Sequence, residues 1–301
     1  MHPTVEVILN EHAGAGLDRS QRDQVEALFR ANGREVRITS APESGLTKLA
    51  AEKARGPASV IVAGGGDGTI AGVAAALVGT EKILGVLPLG TLNHFSKDLG
   101  IPQDVESAVK TIVSGQVKRI DVGDVNGRIF LNNSSLGVYP IVVRDRESQQ
   151  KRLGRGKRWA YAIAAIHLLR RYPQLSLQLT VDGKPLRRHS PFLFVGNNEY
   201  ELAGFSLGER KRLDEAHLGL YVTSRRGRFD LYWLLLRAFF GRLKRKRDFE
   251  SFRATEAVVE TGDIEMLVAT DGEVSRMKGP LHFRTRTGAL QVMAPRADEK
   301  K

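Results

Sequence analysis

Ser59-Val-Ile-Val-Ala-Gly-Gly-Gly-Asp-Gly-Thr69, SVIVAGGGDGT, is the stretch whose reading decides the fold. Val60, Ile61, Val62 and Ala63 form a short apolar run of the kind that makes a buried strand. Three glycines stop it, and Asp67-Gly68-Thr69 opens IAGVAAALVG, which reads as a helix. A strand ending in glycines at the mouth of a helix lets backbone N–H groups approach phosphate oxygens, and the helix dipole favours their charge. Asp67 stands in that mouth. A carboxylate beside phosphates needs a cation or a proton between them, and magnesium-bound nucleotide is the simplest solution. For GGG alone the alternative is a glycine-rich turn of any doubly wound sheet. Walker A is excluded because no lysine follows the glycines, and G-x-G-x-x-G fails at Thr69 and Ala71.

Upstream, Val5 to Leu9 reads as a strand, left through the loop NEHAGAG (Asn10 to Gly16). Asp18 to Ala31 is a helix with Gly33 just past its end, Glu35 to Thr39 a strand, and Gly45 to Ala54 a helix. Downstream come a strand at Ile83 to Leu87, a helix at Pro102 to Ser114 and a strand at Val117 to Val122. This alternation predicts a parallel sheet with helices on both faces. From Gly123 the texture changes to RIFLNNSSLGVY, LSLQLTVDG, PFLFVGNN, GLYVTS, IEMLVATDGEV and LHFRTR, short segments parted by Gly, Asn and Asp turns. They predict an antiparallel sandwich or barrel. The division is thus an α/β domain over 1–123, a β-rich domain over 124–296 and a charged tail over 297–301.

There are 46 Lys and Arg against 34 Asp and Glu, a net charge of +12, which points to anionic partners: nucleotide, nucleic acid or an acidic lipid surface. The absence of cysteine excludes disulfides and thiolate chemistry. The N-terminal MHPTVEVILNEHAG lacks a signal-peptide pattern, and no apolar run approaches the ~18–20 residues that span a bilayer. A soluble, cytoplasmic protein is expected. The scattered histidines show no metal-ligand spacing.

PLGTLNHFSKDLGIP, Pro88 to Pro102, is the second informative stretch. It offers Thr91, Asn93 and His94 at the C-terminal edge of the sheet, where open α/β sheets bind ligands. As a plain connection, it would use Thr91 or Asn93 as a helix N-cap. Together, GGGDGT and LGTLNHFSKDLGIP resemble the diacylglycerol kinase catalytic-domain family, lipid kinases related to sphingosine kinases. NEHAGAG resembles that family's first phosphate loop, with Glu11 and Ala13 departing from it. NNSSLGVYP (Asn132 to Pro140), VGNNEY (Val195 to Tyr200) and TDGE (Thr270 to Glu273) resemble further blocks in the right order.

The resemblance implies a nucleotide domain like those of NAD kinases and phosphofructokinases, a lipid-binding β domain, and an active site between them. It implies that Gly65, Gly66, Asp67, Gly68 and Thr69 hold the ATP phosphates and Mg2+. Asn10, Thr39, Thr91 and Asn93 would line the nucleotide site. Glu273 would be the base that takes the proton of the lipid hydroxyl; read without the resemblance, TDGE is a hairpin turn with a solvent-facing acid. Two departures matter. His94 stands where the wider family often carries a second acid. The family's Asp-Asp-Gly block, which binds a structural magnesium, is here Asp214-Glu215-Ala216. Asp214 and Glu215 keep hard oxygen ligands, whereas Ala216 enters positive φ less cheaply than Gly, so a different local turn is expected.

Two basic-apolar segments, Lys151 to Tyr172 and Arg225 to Phe249, suit either an anionic membrane interface or buried helices with snorkelling basic ends. A lipid substrate favours the interface and peripheral membrane association. The leading expectation is an ATP- and Mg2+-dependent lipid kinase. The rivals are a soluble-substrate kinase of the NAD kinase type and a nucleic-acid-binding protein. No nucleic-acid partner is expected, because the charge flanks apolar runs rather than a recognition element. The lipid acceptor, the choice of ATP or GTP, and the oligomeric state, a homodimer included, stay open.

Overall fold

The chain is described here from a computed structural model that covers residues 5–11, 19–137, 175–200, 202–203, 206–207, 210, 212–223, 249–261 and 265–296. The basic-apolar stretches 151–172 and 225–248 lie outside the described residues, as do 12–16 of NEHAGAG and 138–140 of NNSSLGVYP. In chain order the elements are β1 Val5–Asn10, α1 Arg19–Ala31, β2 Val36–Ala41, α2 Leu46–Ala54, β3 Val60–Gly65, α3 Asp67–Leu77, β4 Ile83–Pro88, α4 His94–Asp98, α5 Val105–Ser114 and β5 Gln116–Val125. There follow β6 Arg128–Phe130, β7 Asn133–Gly137, β8 Leu175–Val181, β9 Lys184–Ser190, β10 Phe192–Asn197, β11 Leu202–Ala203, β12 Ser206–Leu207 and β13 Leu218–Thr223. The last are β14 Phe249–Ala254, β15 Glu256–Glu260, β16 Glu265–Thr270, β17 Glu273–Lys278 and β18 Leu281–Ala294.

Two units form. The first comprises Met1–Val122, Arg212–Glu215 and Arg286–Lys301; the second comprises Gly123–Lys211 and Ala216–Thr285. In the first unit the strands run β2-β1-β3-β4, all parallel, and the end of β18 adds in parallel beside β4 through Gln291 and Val292. β1 and β3 are mostly apolar and almost wholly buried, as a sheet covered on both faces requires, and the buried Glu6 of β1 is paired with Lys53 at 3.2 Å. α2 packs with α3 and α1 with α5. Val25 and Phe29 are the buried side of α1, and Gly33 at φ 71° closes its end. α5 starts where the Asp104 carboxylate accepts the Ser107 N–H at 2.8 Å.

The second unit is an antiparallel sandwich. One sheet runs from the first half of β18 through β15 and β8 to β9; the other runs β14-β13-β10-β7-β16-β17. Phe130, Leu136, Leu177, Val195, Val268 and Phe283 belong to one buried apolar core.

The fold departs from the sequence expectations in two places and adds a strand that the sequence reading did not name. Arg212–Glu215 and Arg286–Lys301 belong to the first unit, so 124–296 is not wholly the second. The connection after Pro88 contains a short helix, α4. The basic run KPLRRHS is a strand, β9, because β8 offers it a full antiparallel ladder from Leu175↔Ser190 to Val181↔Lys184.

Candidate active site

In the first unit the glycine turn and the loop after Pro88 lock together through backbone. A Cβ on Gly90 would lie 2.4 Å from the Gly66 Cα, and one on Gly65 would lie 2.5 Å from the Thr69 hydroxyl oxygen. A side chain at Gly90 would force the two loops apart, and one at Gly65 would displace Thr69 within the glycine turn itself. The Leu89 N–H donates to the Gly65 carbonyl at 3.0 Å, and the Ile70 N–H to the Gly66 carbonyl at 3.0 Å, starting α3. The preceding N–H groups of α3, those of Asp67, Gly68 and Thr69, have no carbonyl one turn earlier within the helix. Asn10, at the end of β1, donates its amide to the Thr69 hydroxyl at 2.9 Å.

Asp67 has a role that sequence reasoning missed. Its Oδ2 accepts the His94 N–H and its Oδ1 the Phe95 N–H, each at 3.1 Å. It therefore caps α4 from another loop, while Asn93, the formal N-cap, makes no side-chain cap bond. Asn93 is left-handed, with φ 51° and ψ 44°. Its Nδ2 holds the loop by donating to the carbonyls of Gly90 at 3.0 Å and Pro88 at 3.3 Å and to Gln103 Oε1 at 3.2 Å. Its buried Oδ1 meets no donor among the described residues. Asn10, Gly65, Gly66, Asp67, Thr69 and Asn93 are thus brought into one connected loop pair. Gly68 lies in the first turn of α3, Thr91 is exposed in the second loop, and Thr39 is half-buried on β2 opposite Ile8.

Asp214 and Glu215 lie in the segment that joins the first unit, where the Leu213 carbonyl accepts the buried Asp121 N–H at 2.7 Å. Arg212 Nε donates to Asp214 Oδ1 at 2.9 Å, and this bond lowers the pKa of the Asp214 carboxyl. Ala216 adopts φ 56°. This is a left-handed conformation, which costs a residue with a Cβ roughly 1–2 kcal/mol.

In the second unit, Thr270-Asp271-Gly272-Glu273 is a hairpin turn whose central residues have φ 48° and 90°, and Thr270 pairs with Glu273. This is a type I′ turn, which explains the Asp-Gly. Glu273 is half exposed, and its Oε2 accepts from the Arg128 guanidinium at 2.5 Å. Asp271 instead turns inward. Its carboxylate accepts the N–H groups of Leu131 at 2.7 Å, Asn132 at 2.8 Å and Asn133 at 3.0 Å. Arg210, also buried, donates to the Leu131 and Asn197 carbonyls at 2.6 and 3.0 Å and to Asn132 Oδ1 at 2.7 Å, and lies over the Tyr200 ring. The blocks NNSSLG, VGNNEY and TDGE therefore meet around the loop 131–133. Sequence reasoning singled out the blocks but assigned no role to Asp271, and it did not single out Arg210, which lies outside them in GERKRL.

Burial raises the Asp271 pKa from 3.8 to about 6, against its three backbone hydrogen bonds, which lower it. Stability from this group is complete below about pH 4 and is lost as pH rises through 6, a swing of about 3 kcal/mol. Urea unfolding of the parent and Asp271→Asn should show it. The parent's advantage over the variant should shrink by about that amount between pH 4 and pH 7. A pH-independent difference would rule the titration out.

Among the described residues no three His, Asp or Glu side chains group as metal ligands, and no helix is long and apolar enough to cross a membrane. Diacylglycerol kinases of Staphylococcus aureus resemble the chain along most of its length. That of strain MRSA252 is 26% identical over 287 residues, 93% of this chain and 90% of that protein. That of strain JH9 is 25% identical over 299 residues, 98% and 93% of the two chains. The crystal structure of a diacylglycerol kinase from Bacillus anthracis strain Sterne shares the fold, with a TM-score of 0.72 at 23% identity, covering 98% of this chain and 97% of that one. The locked glycine loops fall within residues 4–125, which match the diacylglycerol kinase catalytic domain. The sandwich falls within 137–294, which match the YegS C-terminal NAD kinase beta sandwich-like domain. With both halves matched in order, the chain belongs to the diacylglycerol kinase family and is an enzyme of the lipid-kinase class.

Proposed function

We propose that this enzyme transfers the γ-phosphoryl group of ATP, with Mg2+, to the hydroxyl of a diacylglycerol-like lipid drawn from an anionic membrane. The observation that carries the proposal is the contact of Gly66 with Gly90 beside Asp67. It sets two glycine backbones against each other beside the first turn of α3, whose leading N–H groups suit phosphate, with one carboxylate alongside. The residues fit a nucleotide. Glycine backbone puts no side chain of its own between a phosphate and the helix N–H groups, and Asn93 Oδ1 is a buried acceptor that meets no donor among the described residues. They also fit Mg2+, which commonly takes one or two carboxylates and fills its shell with phosphate oxygens and water. Each Asp67 oxygen accepts one backbone N–H and keeps lone-pair capacity for a cation. Bound there, Mg2+ supplies neutralisation of phosphate charge.

The protein's own part is positioning and proton transfer. Gly65, Gly66, Gly68 and Thr69 hold the phosphates by backbone and hydroxyl, and Asn10 orients the Thr69 hydroxyl. Thr39, Thr91 and Asn93 line the nucleotide. Glu273 takes the lipid hydroxyl proton as that oxygen bonds to the γ-phosphorus, and the β–γ bridging bond breaks with its electron pair leaving on ADP. The lipid acceptor is supported by the family and by the basic-apolar stretches of the sequence.

The test is a panel of diacylglycerol, phosphatidylglycerol, a polyprenol and a sphingoid base, with NAD as the soluble comparison. Each is incubated with labelled ATP with and without a chelator, and the products are separated by chromatography. Label should enter a glycerolipid and vanish with the chelator. Label entering NAD instead would favour the soluble-substrate reading, and chelator-resistant transfer would remove the metal.

A further inference from the structure

We propose that Arg128 is a positioning residue that holds Glu273 in its working orientation; this rests on Glu273 being the base. The pair is set up by two hairpins of the same kind. Asn126 and Gly127, at φ 49° and 86°, turn β5 into β6 so that Arg128 follows directly, as Asp271 and Gly272 turn β16 into β17 so that Glu273 follows directly.

Both turns are fastened independently of the pair. Asn126 donates its amide to the Pro280 carbonyl at 3.1 Å and accepts the His282 N–H at 2.8 Å, while the Gly127 N–H donates to Asp124 at 2.8 Å. The other turn hangs on Asp271, with its three backbone N–H partners, and on its own N–H, donated to the Asn133 carbonyl at 2.9 Å. The backbones beneath the two charges are therefore fixed, while the side chains themselves reach solvent, 34% exposed for Arg128 and 52% for Glu273.

A glutamate that exposed samples many rotamers, and a base that wanders by an ångström loses rate. The guanidinium takes only Oε2, at 2.5 Å, and leaves Oε1 to receive a proton. As a surface ion pair it adds little to stability. Its effect should therefore appear in turnover and not in folding.

The experiment measures kcat, KM for ATP and lipid, and urea midpoints for Arg128→Ala, Arg128→Lys and Arg128→Gln, and for each of Glu273→Gln and Arg128→Ala/Glu273→Gln. Arg128→Gln keeps the stem on β6 if the alanine variant folds poorly. The expected result is a loss of kcat of about 10–100-fold in Arg128→Ala and Arg128→Gln, with both KM values and the midpoint little changed. Arg128→Lys, and dilute guanidinium added to Arg128→Ala, should restore part of the rate. The double variant should be no slower than Glu273→Gln, because Arg128 acts only through that carboxylate. Unchanged kcat in Arg128→Ala, or a double variant slower than Glu273→Gln by the full Arg128→Ala factor, would overturn the proposal. Parent-like turnover of Glu273→Gln would instead bring down the base assignment beneath it.

Discussion

Purified Glu273→Gln enzyme is expected to bind ATP as the parent does and to turn lipid over about 10²–10⁴-fold more slowly. The substitution is clean for a structural reason. Glutamine keeps an oxygen that can accept from Arg128, now 2.5 Å from the carboxylate, and it keeps the turn residue beside Gly272 unchanged. Position is retained and only the proton-accepting capacity is removed. An alcohol is un-ionised at neutral pH, so the missing base should show in kcat while KM for ATP stays put. A variant that loses ATP affinity and keeps kcat would put Glu273 in a binding role instead.

Asp67→Ala should cost at least ~10³-fold in turnover, the scale on which a bound cation assists charge development. The acid does more than face a cation, however: it accepts the N–H groups of His94 and Phe95. Alanine therefore also uncaps α4, at about 1 kcal/mol. Asp67→Asn separates the effects, since its one oxygen still caps in part while its charge is gone. Both variants should melt cooperatively close to the parent, and both should be inactive. Near-parental turnover in either, with the fold intact, would remove Asp67 from the metal site.

How much of this could be read from sequence depended on whether the cause was local. The β3–glycine–α3 unit was legible because an apolar run, a stop and a helix start sit side by side in the chain. TDGE announced a hairpin because a type I′ turn demands Asp-Gly chemistry. KPLRRHS carries no strand signal of its own that the sequence reading picked up, and the partner ladder of β8 makes it a strand. Arg210 sits in the charge-rich GERKRL, and its burial is decided by acceptors 79 and 13 residues away in sequence. The capping role of Asp67 was hidden for the same reason, since its partners lie 27 and 28 residues on. Glu273 facing solvent matches the plain turn reading, and its chemistry came only from the resemblance.

The last strand gives the protein a particular order of assembly. β4 borders β3 on one side, and on the other it waits for Gln291 and Val292, about two hundred residues later in the chain. At ribosomal speeds of about 5–20 residues per second, that edge stays open for about 10–40 s after β4 itself has been made. During synthesis the first unit to begin is therefore the last to be finished. Its bare strand edge must be kept from pairing with neighbouring nascent chains until the C-terminal residues arrive.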